Sequence, residues 1–430
     1  MLKRAILLLH IILCIGLSSL RSQSLPGVPE IKYRRSSLHT ILVESDKFPR
    51  KDTVINAYNK APFPDKYNNH TVGLKSFDPA VYTTRDSTGK IEESKIKETI
   101  EKYFQATKMA NQMTAKWFSR QEDGTFDMSL IAERGSYDAS DMQVNIAKGS
   151  ARGTASLADA GEELIANTFV VVSQLNFVSN EPIAAAIRVT AKAIAGQMPN
   201  PLAKKLAETS ADVIYKKTKE GYSVWTTAYL YQLAWNDSIA AIFYNDLWMD
   251  KSNPDAAKKE AFDKSDLLQL KFVGQQKASS LVLFSTKTRN EVQIIELATI
   301  RNIDNVFAKL QKNYDVFKTK TPLYTGFPIT AKIGLKEGVE KGDKFEVLEQ
   351  VVDPETGRTK YVGKGKIVVD KNLIWDNRYA LEGEAPTTLG GEEPPAEEEA
   401  KDNGKKEKID RTTFTGGKNY YPGMLIRQVK

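Results

Sequence analysis

The sequence predicts an α/β (α+β) main region carrying a helical-hairpin insertion, followed by a small C-terminal all-β, barrel-like domain. Three observations predict it. Apolar residues recur at helical spacing from Ile96 to Trp117, β-branched runs such as Thr168–Val178 intervene as strands, and beyond Pro322 short strands punctuated by glycine replace the helices.

The elements follow in order. Residues Leu25–Arg35 read as extended, and Ser37–Glu44 (SLHTILVE) as a first strand. Asp52 caps a short helix over Thr53–Lys60, which Pro62 and Pro64 stop. Ala61–Asp86 is a long ordered loop rich in Pro, Asn, Asp and aromatics. In the next helix Ile96, Ile100, Tyr103, Thr107, Ala110, Thr114 and Trp117 form one apolar stripe. Asp123-Gly124 turns the chain, and Phe126–Arg134 (FDMSLIAER) reads as a strand. An Ala-rich helical stretch, Asp138–Asn167, leads into the strand Thr168–Val178, expected to be central in its sheet. Ile183–Met198 and Leu202–Lys219 form the helical hairpin, bent at Pro199-Asn200-Pro201. Its Ala-rich face either packs on the sheet or is exposed to a partner.

Gly221–Trp235 is a strand with aromatics throughout. Ser238–Met249 reads as strand or helix, Asp255–Ser265 as helix, and Leu268–Gly274 and Ser280–Thr286 as strands. Ile300–Phe317 returns to helix along Ile303, Phe307, Leu310 and Tyr314. Then come strands at Ile329–Ile333, Lys344–Val351, Lys360–Val369 and Leu373–Tyr379, with Asp353–Gly357 as a turn and Gly363 and Gly365 bending their strand. Tyr421–Val429 returns to close the barrel. The expected organisation is a signal peptide at 1–23, an N-terminal strand, helix and loop at 24–90, the α/β domain at 91–320 with its insertion at 182–220, and the β-domain at 321–430 with a disordered acidic insertion at 383–410.

At 430 residues, with 41% hydrophobic and 27% charged content, the chain can build more than one core. Lys3 and Arg4, then the apolar run Ala5–Leu17, then Ser18, Ser19 and Ser22 read as a secretory signal. No later segment has the ~20 apolar residues of a membrane-spanning helix. Cys14, the one cysteine, lies in the signal after Leu13 and so lacks a lipoprotein context. The mature chain therefore forms no disulfide and carries no thiolate. Loss of Lys3, Arg4 and Arg21 lowers the net charge from +7 to +4. Glu382–Asp410 holds ten acids against four lysines, so the remainder stands near +10. Two readings of that surplus stand: it attracts anionic polymers or lipid headgroups, or the scattered lysines and glutamates form a solvated surface, the plainer account. Export argues against nucleic acid as a partner.

Reactive groups are scarce. Only His39 and His70 remain after cleavage, far apart and without metal-ligand spacing. There is no nucleophile elbow, phosphate loop or dinucleotide fingerprint. No cofactor or metal is expected. Asp127, Glu133, Asp159, Glu162 and Glu163 lie near predicted element ends and are the acids a glycoside hydrolase would draw on. Solvated acids and helix caps are the plainer account. Trp225, Tyr229, Tyr231 and Trp235 occupy odd positions of one strand and share a face of its pleat. Two readings stand: they fill a core between sheet and helices, or they stack on a sugar or a partner. Tyr420 and Tyr421 are candidates for an exposed interface.

The phrases FDMSLIAER and DAGEELIANTFVVVSQLNF resemble the α/β unit of the curli secretion component, of the activator lipoproteins of penicillin-binding proteins, and of flagellar assembly protein T. The stretch GVEKGDKFEVLE is similar to the small C-terminal β-domain of flagellar assembly protein T, and the N-terminal style is similar to exported proteins of Bacteroidetes. The chain departs from the pattern in lacking a lipobox and in carrying the hairpin after Pro182. The resemblance implies a non-enzymatic accessory protein of the periplasm or outer membrane that docks on other envelope proteins. The rival expectation is a glycan-binding protein or a carboxylate-dependent glycoside hydrolase.

Overall fold

A computed structural model describes residues 33–83, 95–137, 164–252, 254–283, 290–352, 359–379, 409–417 and 419–429. The predicted signal, the turn at Asp353–Gly357, most of the Ala-rich stretch after Asp138 and most of the acidic insertion lie outside these residues. The fold is mixed α/β with a closed C-terminal β-barrel, as the sequence predicts.

The main sheet has the order β2-β1-β4-β5-β6, with β3 also on β1. Its strands are β1 (Ser37–Val43), β2 (Asn68–Asn69), β3 (Ser76–Phe77), β4 (Thr168–Ser179), β5 (Gly221–Leu233) and β6 (Leu270–Leu283). β1 runs parallel to β4, whereas β4, β5 and β6 are antiparallel. β4 is central, and its run of Phe and Val is buried on both faces. Phe169, Val171, Leu175 and Phe177 meet the long helix α9 (Glu291–Asn313) and α1 (Lys51–Lys60). Val170 and Val172 meet α2 (Ile96–Ala106) and α3 (Met109–Trp117). A third, aromatic cluster joins Trp117 and Phe118 to α4 (Ser129–Tyr137), α7 (Asp237–Ile242) and α8 (Ala256–Lys264). Buried Asn302 of α9 pins the sheet, its Nδ2 donating to the Val224 carbonyl at 3.1 Å and to Thr226 Oγ1 at 2.6 Å.

Several elements differ from expectation. The predicted helix over 96–117 breaks at Lys108, which takes positive φ while its Nζ reaches Asp266 at 2.6 Å. FDMSLIAER is not a strand: Asp127 accepts from the Ser129 amide at 2.8 Å and starts helix α4. Ser238–Met249 resolves to helix, α7 running into a π-turn at Phe243–Leu247. The two strands predicted around residue 275 are one, β6, because Gly274 marks a bulge rather than an end. The last long helix begins at Glu291, not Ile300, behind an Asn290/Gln293 capping box.

The barrel closes as β10-β11-β8-β7-β12-β9. The strands are β7 (Thr321–Gly326), β8 (Ile329–Ala331), β9 (Lys344–Val352), β10 (Thr359–Val369), β11 (Thr412–Gly416) and β12 (Leu425–Val429). The β9–β10 register shifts between Gly363 and Gly365, where the predicted bend falls. Leu373–Tyr379 is not a strand; Trp375 makes a single bridge to Gly334. The barrel seats against the α/β region: Lys66 Nζ donates to the Lys332 carbonyl at 2.8 Å, and Arg301 Nε to the Tyr379 carbonyl at 3.2 Å.

Candidate functional site

The two histidines among the described residues, His39 and His70, are buried in the fold. His39 lies on β1 fully buried, and burial, aided by Lys116 and Lys75, pushes its imidazole down to about 3. His70 Nε2 donates to the Met113 carbonyl at 2.9 Å, leaving Nδ1 to accept from Arg134 Nη1 at 3.0 Å. The ring stacks on Trp117 at 4.9 Å, and the Arg134 guanidinium lies over the same indole at 4.6 Å. Burial first, then Arg134, holds His70 well below its ordinary range. Trp117 Nε1 donates to Thr168 Oγ1 at 2.9 Å, so this knot ties α3, α4 and β4 together.

The predicted acids play different parts. Asp127 is a helix cap held below the usual carboxylate range by the Ser129 hydroxyl and amide. Glu133 is exposed on α4, and Asp159, Glu162 and Glu163 lie outside the described residues. Among the described residues no group of three or more His, Cys, Asp or Glu side chains is placed to hold a metal.

The four aromatics do not form one surface. Tyr229 and Tyr231 are buried under α2, Tyr231 edge-on to Phe104 at 5.0 Å. Trp235 lies beyond the end of β5, in the third cluster beside Phe243. Only Trp225, opposite Asn176 and Ser279, is substantially exposed. The cause is partial cover: α2 and α3 shield one half of this sheet face and leave the Trp225 end open. Tyr420 is not an exposed contact either; it packs on the barrel core over Gly365. Tyr421 is exposed, and its hydroxyl donates to Glu349 at 2.6 Å.

The outer edge of β6 is an obvious place for a partner strand, but it is blunted. Tyr314 Oη donates to the Gln275 carbonyl and Lys309 Nζ to the Lys277 carbonyl, both at 2.8 Å. Together with the Gly274 bulge, these contacts oppose strand addition along that stretch.

What stands out is the hairpin of α5 (Asn180–Gly196) and α6 (Pro201–Thr218). Ser179 caps α5, and the Asn200 side chain accepts from Leu202 and Ala203 at the start of α6. At the base, Ser223 Oγ donates to buried Asn180 at 2.8 Å. Small residues, Ala184, Ala195 and Ala211, fill the contact between the helices. On one side Asp212 receives Arg188 at 2.6 Å and Lys192 at 2.7 Å; Lys192, then Arg188, holds its carboxyl below the ordinary range. The helical period puts Ile183, Ile187, Thr190 and Ile194 across α5 from those cations, and Ala203 and Ile214 across α6 from Asp212. These residues therefore share the other side, and Ile183, Ile187, Ile194 and Ile214 are all exposed. The sequence offered the Ala-rich face as sheet-packed or exposed to a partner; Ala184, Ala195 and Ala211 are instead buried within the hairpin, and the exposed face is the isoleucine one.

No helix among the described residues is long and apolar enough to cross a membrane. In comparison with known proteins, no family model matches the chain and no curated relative matches it.

Proposed function

We propose that this protein is a non-enzymatic, exported accessory or assembly protein of the bacterial envelope that works by surface contact, and that the α5–α6 hairpin is its main contact surface. The observation that carries the reading is apolar exposure. Ile187, Val189, Ile194, Leu202, Leu206 and Ile214 are each more than half exposed on a well-formed helical hairpin. Apolar exposure concentrated on one element in this way is costly in water unless something covers it. The basic start and apolar run Ala5–Leu17 support export, which would carry that surface out of the cytoplasm.

The test is a photo-crosslinking residue at Ile187, introduced in living cells and followed by fractionation. The expected result is protein in the envelope fraction with ultraviolet-dependent adducts, and no turnover of envelope polysaccharide by the purified chain. Cytoplasmic protein without adducts, or polysaccharide turnover, would overturn the reading.

A further inference from the structure

The partner of the hairpin can be narrowed by how charge is distributed along it. Between Pro182 and Ala207 there is no acidic residue, while Arg188, Lys192, Lys204 and Lys205 are basic. The acids Glu181, Asp212 and Glu220 lie toward the base, where Lys216, Lys217 and Lys219 also fall, and Glu208 is three residues behind Lys205. The turn itself, Met198-Pro199-Asn200-Pro201-Leu202, is uncharged. Around it Ile194 is 59% exposed, Leu202 78% and Leu206 68%. Apolar side chains thus surround the free end instead of forming one flat patch, and Val189 extends them to the opposite side.

We infer that the free end of the hairpin inserts into the headgroup layer of an anionic phospholipid surface. This rests on the reading of the hairpin as a contact surface and names what it contacts. Lys204 and Lys205 lie four and five residues behind Asn200, on the tip side of the Asp212 pairs that hold Arg188 and Lys192. At about 1.5 Å per helical residue, these two lysines stand roughly 6–8 Å from the hairpin tip. That matches the ~5–10 Å depth at which interfacial helices bury apolar side chains, with the cations level with lipid phosphates. A rounded apolar tip suits fluid acyl chains better than one complementary protein face. Ala184, Ala195 and Ala211 are buried whereas Ile194 and Leu206 are mostly exposed, so those two can be changed without unfolding the body.

The test is flotation of the full chain with phosphatidylcholine vesicles containing about one third phosphatidylglycerol, and with phosphatidylcholine alone. The double variant I194E/L206E controls for the N-terminal apolar run, which it leaves intact. Wild type floats with the anionic vesicles at least tenfold better than with neutral ones, and I194E/L206E loses at least tenfold while keeping the wild-type melting curve. Met198→Trp shows a blue-shifted emission on adding anionic vesicles. The inference is overturned if wild type does not float, if I194E/L206E floats equally well, or if light scattering shows a hairpin-dependent dimer in place of vesicle binding. Protein adducts at Ile187 without vesicle binding would remove the lipid partner and leave the contact reading in place. Vesicle binding by a chain retained in the cytoplasm would do the reverse.

Discussion

Replacing His39 by leucine should change how stability depends on pH. In the fold the imidazole is pushed down from its ordinary 6.5 to about 3, chiefly by burial. A depressed histidine contributes stability that is complete above 6.5 and drains away as pH falls toward 3, because the unfolded chain takes up the proton first. Between about pH 7.5 and pH 5 this amounts to about 2 kcal/mol lost. His70, depressed by burial and Arg134, adds in the same direction. Asp304 on α9 opposes them. Burial, joined by Glu337 and Asp65 and resisted by Lys336, raises its carboxyl from 3.8 to about 7. A raised carboxyl contributes stability that is complete below 3.8 and lost as pH climbs through 7, so acidification over the same interval returns about 2 kcal/mol. Urea unfolding of wild type, His39→Leu and Asp304→Asn at the two pH values separates the contributions. His39→Leu should lose about 2 kcal/mol less than wild type on acidification, and Asp304→Asn about 2 kcal/mol more. Identical pH dependence in wild type and His39→Leu would refute the argument, whatever the absolute stabilities.

Three further substitutions probe other parts of the fold. Asn302→Ala removes the buried donor to Val224 and Thr226 and should cost about 2 kcal/mol in urea unfolding. Trp117→Phe breaks the bond to Thr168 and thins the stack on His70 and Arg134, with a comparable loss of about 2 kcal/mol, read as a lower thermal midpoint. Gly365→Ala puts a Cβ at φ 150° into the Tyr420 hydroxyl, so it should destabilise the barrel, and Tyr420→Leu in the same chain should restore part of the loss.

The sequence was most legible where one pattern sufficed. The run TFVVV has no polar face, so it specifies a strand covered on both sides, and β4 is buried on both faces from Thr168 to Ser173 before Asn176 opens to solvent. Glycines at 363 and 365 marked a bend that the β9–β10 register shift realises. Failures came where local signals compete. FDMSLIAER alternates over its first residues, but one carboxylate cap outweighs that pattern. The polar middle of β6 looks like a break because Ala278 is the one buried apolar side chain between Gln275 and Ser279. The aromatic site failed for a similar reason: period two says which side chains share a face, but not how far along that face a helix reaches. Tyr229 and Tyr231 lie under α2, while Trp225 lies beyond its cover.

Sequence alone therefore determined the fold class, the closing β-domain, the placement of the hairpin and its acid-free outer stretch, since each follows from composition or spacing within one segment. Tertiary structure alone decided that both imidazoles are buried, that the edge of β6 is capped by Tyr314 and Lys309, and that the isoleucines of α5 meet no sheet. These outcomes depend on which distant segment arrives alongside. Burial and exposure are properties of pairs of surfaces, and a linear pattern describes only one member of each pair.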